Sequence, residues 1–431
     1  MRTTISIILL SLIQPSFSQN PISPQGVYIA DPSARVMPDG KLYVYGSNDE
    51  SRQYYCSNTH HVLSSSDMTT WEIKKDIFMS KGENDKVSYS DCLLYAPDCI
   101  EKEGKYYMYY CMSDGSEGVS SAKYPYGPFG EGKKLPASGI DPAVFIDDDG
   151  QAYYYWGQIN AKAARLTKDM SNIDVSSIKE NIVTEKEHRF HEGSWVFKRK
   201  GIYYYVYTAI NKMGEATSID YSTSTSPLGP FKYGGTIIDN TGCDPCSWNN
   251  HGSVVEYKGE WYVFYHRSTH ASNMMRKACV ERISFAPDGS IPQVEMTSQG
   301  AGEPLDGFKT IDACRACLLS GKIRITQSGP NKEELSRIEH YNSAIYKYIR
   351  FERAPTNVTI KVAPQNGGKV QFFTDSHIPL ATINVPSGDG KTYKEFSAKV
   401  NGLVQGTTLI KVRFYGNEDK DLMKFDSFRF E

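Results

Sequence analysis

HEGSWVFKRKGIYYYVYTA, residues 191–209, is the stretch whose reading decides the fold. Two runs rich in β-branched and aromatic residues flank a charged turn at Lys198–Gly201, the pattern of a buried β-hairpin. The Gly-x-aromatic signature at its centre recurs as DGKLYVYGS, EGKYYMYYC, DGQAYYYWG, KGIYYYVYT and KGEWYVFYH. Their glycines are Gly40, Gly104, Gly150, Gly201 and Gly259, at spacings of 64, 46, 51 and 58 residues. Outer-strand material follows in most units, and a P-x-GPF ending repeats at Pro125–Phe129 and Pro227–Phe231.

Units of about fifty residues with four short strands match propeller blades. Amphipathic helical stretches are missing between them, which excludes an α/β architecture. The expectation is an all-β chain with a five-bladed β-propeller over residues 19–302, the first strand of each blade lining a central channel. After the connection GEPLDGFKT, residues 303–431 alternate as VTIKVAP, KVQFFTDS, LATINVP, LIKVRFYG and MKFDSFRFE, the pattern of a jelly-roll-like β-sandwich.

The 431 residues carry 48 Lys and Arg against 50 Asp and Glu, a net charge of −2. Nucleic acid is thereby excluded as a partner, since its backbone calls for a basic surface. Thirty tyrosines suit strands, and equally suit a sugar-handling surface that needs an apolar face with a polar tip. Residues 1–18, MRTTISIILLSLIQPSFS, have the charged start, short apolar run and small-x-small end of a signal peptide. No cysteine follows to carry a lipid, so export to the periplasm or exterior without a membrane anchor is expected. The cysteine count is nine, an odd number that argues against a fully paired disulfide framework. Cys243/Cys246 and Cys314/Cys317 have zinc-like spacing, but unpaired or locally bridged thiols are the favoured reading over a shared zinc site. Nothing in the residues fixes an oligomeric state.

Superposing what precedes each repeat glycine aligns ADPSARVMPDG, YAPDCIEKEG, DPAVFIDDDG, EGSWVFKRKG and HGSVVEYKG. One position then holds Asp31, Ala96, Asp141, Glu192 and His251, at the mouth of each innermost strand. Asp before Pro at a strand entrance is ordinary turn chemistry; three carboxylates at one equivalent position are not. Like charges at close range raise at least one pKa, separating a proton donor from an acceptor, as glycosidic cleavage requires.

The segments ADPSARV, GIDPAVFIDDDG and HEGSWVFKRKG resemble the three catalytic blocks of glycoside hydrolase family 43, with YAPDCI, YYYWGQ and NNHGSVVEYKGEWYVFYHRS as supporting matches. The resemblance implies an inverting glycosidase with Asp31 as general base and Glu192 as general acid. It gives Asp141 the task of orienting the acid and keeping its proton on. Inversion implies carboxyls roughly 6.5–9.5 Å apart. The resemblance also matches His251 to a histidine that helps hold a hydrated calcium ion, structural and not needed for chemistry; a metal-free histidine is the alternative. Arg276 matches a sugar-contacting arginine, with a surface arginine as the alternative. Tyr95 and Gln158 are candidate sugar contacts, the former otherwise a packing residue. His191 either perturbs the acid or faces solvent.

The partner so implied is an oligosaccharide or polysaccharide of plant type. The activity is an exo-acting α-L-arabinofuranosidase, with a β-D-xylosidase of the same family as the alternative. A non-catalytic, glycan-binding propeller is the alternative of another class. Residues 303–431 resemble a family 6 carbohydrate-binding module, but depart from it at Asp312-Ala313-Cys314, Tyr393 and Lys424. The expectation is therefore a packed accessory sandwich that does not bind sugar.

Overall fold

The computed structural model describes residues 19–245 and 249–431. The signal-peptide reading and Cys246 lie outside the described residues. Among the described residues the chain is nearly all β, with one four-residue α-helix, Glu185–His188, and two short 3-10 turns. Up to residue 283 it forms five separate antiparallel sheets in chain order. Sheets one, two and four have four strands and open at Ile29–Val36, Leu94–Lys102 and Phe190–Arg199. Sheets three and five have three strands and open at Ala143–Ile146 and Gly252–Tyr257.

Each repeat supplies two adjacent strands, and the repeat glycine makes the turn between them. Gly40, Gly104, Gly150, Gly201 and Gly259 all have φ between 77° and 81°, a backbone conformation in which only glycine is unstrained. The fourth strand expected in units three and five is replaced for a physical reason in each. In unit three the isolated bridges Ala163–Lys179 and Leu166–Ile173 pin an irregular segment along the edge. In unit five the outer strand is met by the start of the chain: Ile22 N–H donates to Ala278 O at 2.9 Å and Asn20 brackets Val280.

The opening strands of the five sheets contact one another in chain order, and that of sheet five also contacts that of sheet one. A buried apolar cluster fills each gap between consecutive sheets, including the gap between five and one. The repeated P-x-GPF turns serve these gaps. Tyr45 Oη donates to Pro125 O at 2.6 Å and Tyr155 Oη to Pro227 O at 2.8 Å, each from one sheet to the next.

Where the opening strands gather, Asp98 joins several sheets at once. Its carboxylate accepts from Ser33 Oγ (2.7 Å), from Arg35 Nε and Nη2 (3.1 and 2.6 Å) and from Val144 N (2.7 Å). Arg35 lies over the Trp195 ring at 3.9 Å, and Trp195 Nε1 donates to Val254 O. One buried carboxylate thus anchors contacts that reach all five sheets. Asp98→Ala removes the guanidinium's counter-charge, leaving it only Val144 O, and leaves the Val144 amide without its acceptor. It is expected to cost about 3–5 kcal/mol in a urea unfolding curve; a change below about 1 kcal/mol would show that the hub carries little load.

Residues 305–430 form two six-stranded sheets enclosing one apolar core. They pack firmly on the first part. Lys277 Nζ contacts both Glu333 oxygens at 2.8 Å with both side chains buried, and Arg267 donates to Ala316 O and Cys314 O. Positions at which the module resemblance expects contacts are engaged inside the protein. Tyr393 Oη donates to Glu334, Lys424 pairs with Glu334 at 3.6 Å, and Asp312 accepts from Gln25 at 2.9 Å. Cys243, Cys314 and Cys317 are free, buried thiols, and among the described residues no three or more His, Cys, Asp and Glu side chains gather as a metal site.

Candidate active site

Asp31, Tyr95, Asp141, Gln158, Glu192 and Arg276 all line one cavity of about 360 Å³. His251 lies against it, its Nδ1 at 3.4 Å from Asp31 Oδ1 and 3.8 Å from Asp141 Oδ2. The backbone reaches this arrangement by a shared irregularity. Register shifts interrupt pairing at Ala30/Ser33, Tyr95/Asp98 and Glu192/Trp195, where the opening strands begin. Asp31 (φ 52°) and Asp141 (φ 56°) occupy the left-handed region, which Asp tolerates better than most residues and which gathers at functional sites. After Glu192 the same turn is made by Gly193 (φ 75°). A Cβ there would stand 2.6 Å from Thr208 Oγ1 and 2.9 Å from His251 Cδ2, so glycine is required for the imidazole to pack beside the Glu192 turn.

Both Asp31 oxygens accept hydrogen bonds: Oδ1 from Arg276 Nη1 at 2.8 Å, Oδ2 from Ser47 Oγ at 2.7 Å. Burial opposes its ionisation, but the Arg276 guanidinium and the hydrogen-bonded His251 hold its carboxyl far below the usual carboxylate range. Asp141 is the opposite case. Burial pushes its carboxyl up to about 7, His251 opposes, and the Glu192 and Asp31 carboxylates add to the rise. For His251, burial works against the charge, yet Asp141 and Asp31 outweigh it and raise the imidazole to about 9. One cavity therefore holds a firmly ionised carboxylate and a carboxyl that gains a proton near neutrality.

His251 turns its Nδ1 towards both the Asp31 and the Asp141 carboxylates.

Gln158 lines the cavity, and its Nε2 donates to Glu192 Oε2 at 2.8 Å, so it orients that carboxylate. Arg276 is not a surface arginine but a buried one. His191 is part-buried at the cavity, 3.3 Å from Glu185.

Several site residues escaped the sequence reading: Asp49, Tyr55, Cys56, Asn249, His266 and the hydroxyl of Ser47. For some the signal was in hand, in the last residue of each repeat string. Ser47, Cys111 and His266 all stand seven places after the repeat glycine. Ser47 bonds Asp31, Cys111 Sγ accepts from Asp141 N at 3.2 Å, and His266 Nδ1 accepts from Asp31 N at 3.1 Å. Burial keeps His266 neutral, as its acceptor role requires.

Behind Asp141 lies Glu117, wholly buried, with Oε2 bonded by Tyr154 and Oε1 without a partner. Burial pushes its carboxyl up to about 8, against the Tyr154 hydrogen bond. The folded state thus holds a proton that the unfolded chain releases near pH 4.5, so stability falls as pH rises from there towards 8. Glu117→Gln is expected to flatten that decline by on the order of 4 kcal/mol between about pH 5 and about pH 8.5, read from paired unfolding curves. Parallel curves for the two proteins would show that Glu117 is not protonated.

The model of glycosyl hydrolases family 43 matches residues 18–291. A xylosidase/arabinosidase of Thermoclostridium stercorarium is 33% identical over 70% of this chain and 72% of its own. An arabinoxylan arabinofuranohydrolase of Bacillus subtilis is 29% identical over 93% of this chain and 90% of its own. The crystal structure of a family 43 arabinoxylan arabinofuranohydrolase from Bacillus subtilis, in complex with cellotetraose, superposes with a TM-score of 0.58 at 25% identity. It covers 96% of this chain and 99% of that one.

Proposed function

Since the chain belongs to glycosyl hydrolases family 43 and so is a hydrolase of O-glycosyl bonds, we propose that it removes α-L-arabinofuranosyl side chains from plant-type polysaccharide or oligosaccharide, acting from chain ends with inversion. Asp31 is the general base in this reading, Glu192 the general acid, and Asp141 the group that orients the acid. The observation that carries it is the meeting of these three carboxyls around one sugar-sized cavity. Asp31, kept ionised, takes a proton from water as the water's oxygen attacks the anomeric carbon. Glu192, held by Gln158, gives its proton to the departing oxygen, and the glycosidic bond breaks. The reaction so written uses carboxyl groups and water alone, and the structural calcium of the resemblance has no part in it.

Arabinose is favoured over xylose because relatives that match 93% of this chain, across both of its parts, are named arabinoxylan arabinofuranohydrolase. The second reading, a β-D-xylosidase, is kept because the Thermoclostridium stercorarium relative carries both names. The five sheets and their five intervening clusters support a five-bladed propeller over residues 19–302. Residues 303–431 are proposed as a packed, module-like sandwich, supported by the buried Lys277–Glu333 pair and the internally engaged Tyr393 and Lys424. Export by residues 1–18 completes the reading.

Incubation with p-nitrophenyl α-L-arabinofuranoside and p-nitrophenyl β-D-xyloside tests the assignment, with polarimetry or NMR for the anomer released. Faster release of arabinose is expected. Faster release of xylose would favour the second reading. Release of neither, from folded protein given natural oligosaccharides as well, would leave a glycan-binding protein without catalysis.

A further inference from the structure

Arg276 meets two carboxylates, and they do not share it equally. Its Nε and Nη2 lie on Asp49 Oδ2 and Oδ1 at 2.8 and 2.9 Å, a two-pronged pair, while Nη1 alone reaches Asp31 Oδ1. Asp49 is almost wholly buried and also accepts the backbone N–H of Arg276 (2.9 Å) and of Cys56 (3.0 Å). Every N–H it collects comes from the wall of the cavity. The segment it anchors through Cys56 carries Tyr55, whose ring lies 5.0 Å from the Arg276 guanidinium carbon and whose hydroxyl accepts from Asn249 Nδ2 at 3.2 Å.

A guanidinium and a carboxylate prefer two parallel hydrogen bonds. Left to itself, Arg276 would turn that fork onto Asp31 and cover both oxygens of the group that must take a proton from water. Asp49 occupies the fork and leaves Asp31 a single prong. We propose that Asp49 is a positioning residue of the reaction: by holding Arg276 it keeps one lone pair of Asp31 open to the attacking water. Nothing in the repeat marks Asp49, which follows the first unit's second strand. The proposal rests on the reading of Asp31 as the base, and its test separates the two.

The experiment measures kcat and KM on p-nitrophenyl α-L-arabinofuranoside for the full chain and for Asp31→Asn, Asp49→Asn, Arg276→Met and the double variant Asp49→Asn/Arg276→Met. Asp49→Asn keeps the shape but cannot accept from both prongs. It should lower kcat by roughly 30-fold while KM moves less than about threefold, the split of an interaction that matters in the transition state. The double variant should turn over as slowly as Arg276→Met and no slower, because Asp49 acts through Arg276. A kcat near that of the unaltered chain, a change confined to KM, or losses that multiply in the double variant would each overturn the proposal. If Asp49→Asn does not fold, Asp49→Glu, which keeps the charge but displaces the fork, takes its place: the same fall in kcat with little change in KM supports the proposal, and an unchanged kcat overturns it. Undiminished turnover by Asp31→Asn would instead remove the base assignment and this proposal with it; an inactive Asp31→Asn beside an unaffected Asp49→Asn removes this proposal alone.

Discussion

Asp31→Asn is expected to lower kcat on the order of 10⁴-fold on any glycoside, good or poor leaving group alike, while the protein stays folded. Asparagine fits the site closely. It tolerates the left-handed backbone at φ 52°, and its carbonyl can still accept from Ser47 or Arg276. It cannot take a proton from water. Because Asp49 retains its two-pronged hold, Arg276 keeps a counter-charge and the buried cluster is not left with a bare cation. Circular dichroism and a melting curve close to those of the unaltered protein would certify the fold. Turnover within about tenfold of normal in that folded variant would take Asp31 out of the base role.

The second large effect belongs to Glu192→Ala, and it depends on what leaves. On arabinose-bearing oligosaccharides the departing sugar hydroxyl needs a proton, so kcat should fall by about 10³- to 10⁴-fold. On the p-nitrophenyl glycoside the phenolate departs without one, and the loss should shrink to about tenfold or less. Stability should barely change, since Glu192 is only part-buried and its side chain accepts from the exposed Gln158. Gln158→Ala should reproduce the same leaving-group pattern at smaller size. Equal losses on the two substrates would mean that Glu192 does not donate the proton.

The carboxyl set was legible because repetition did the aligning. Five copies of one hairpin place one residue near the start of each opening strand at an equivalent point, so Asp31, Asp141 and Glu192 could be brought together on paper. His251 fell out of the same alignment and does lie against two of them. What the repeat could not convey was how those residues are held. Ser47, Cys111 and His266 ended the very strings that defined the repeat, yet as residue types they gave no sign of bonding the acids or their backbone. Gln158 was read only as a sugar contact; its hydrogen bond to Glu192 was not legible. The missing fourth strands of units three and five were invisible for a related reason. Alternating apolar residues set a strand's propensity, but the partner along its edge is chosen by whatever part of the chain arrives there, in unit five residues from the opposite end of the sheet array.

The amino-acid order alone thus determined the hairpin repeat, the all-β architecture and the alignment of three acids, because backbone periodicity is a local property written afresh in each unit. Only the tertiary structure decided which acid is held ionised and which gains a proton, since that turns on burial and on Arg276, more than two hundred residues from Asp31 in the chain yet 2.8 Å from it in space. Charge interactions depend on distance through the folded protein, and that distance has no period.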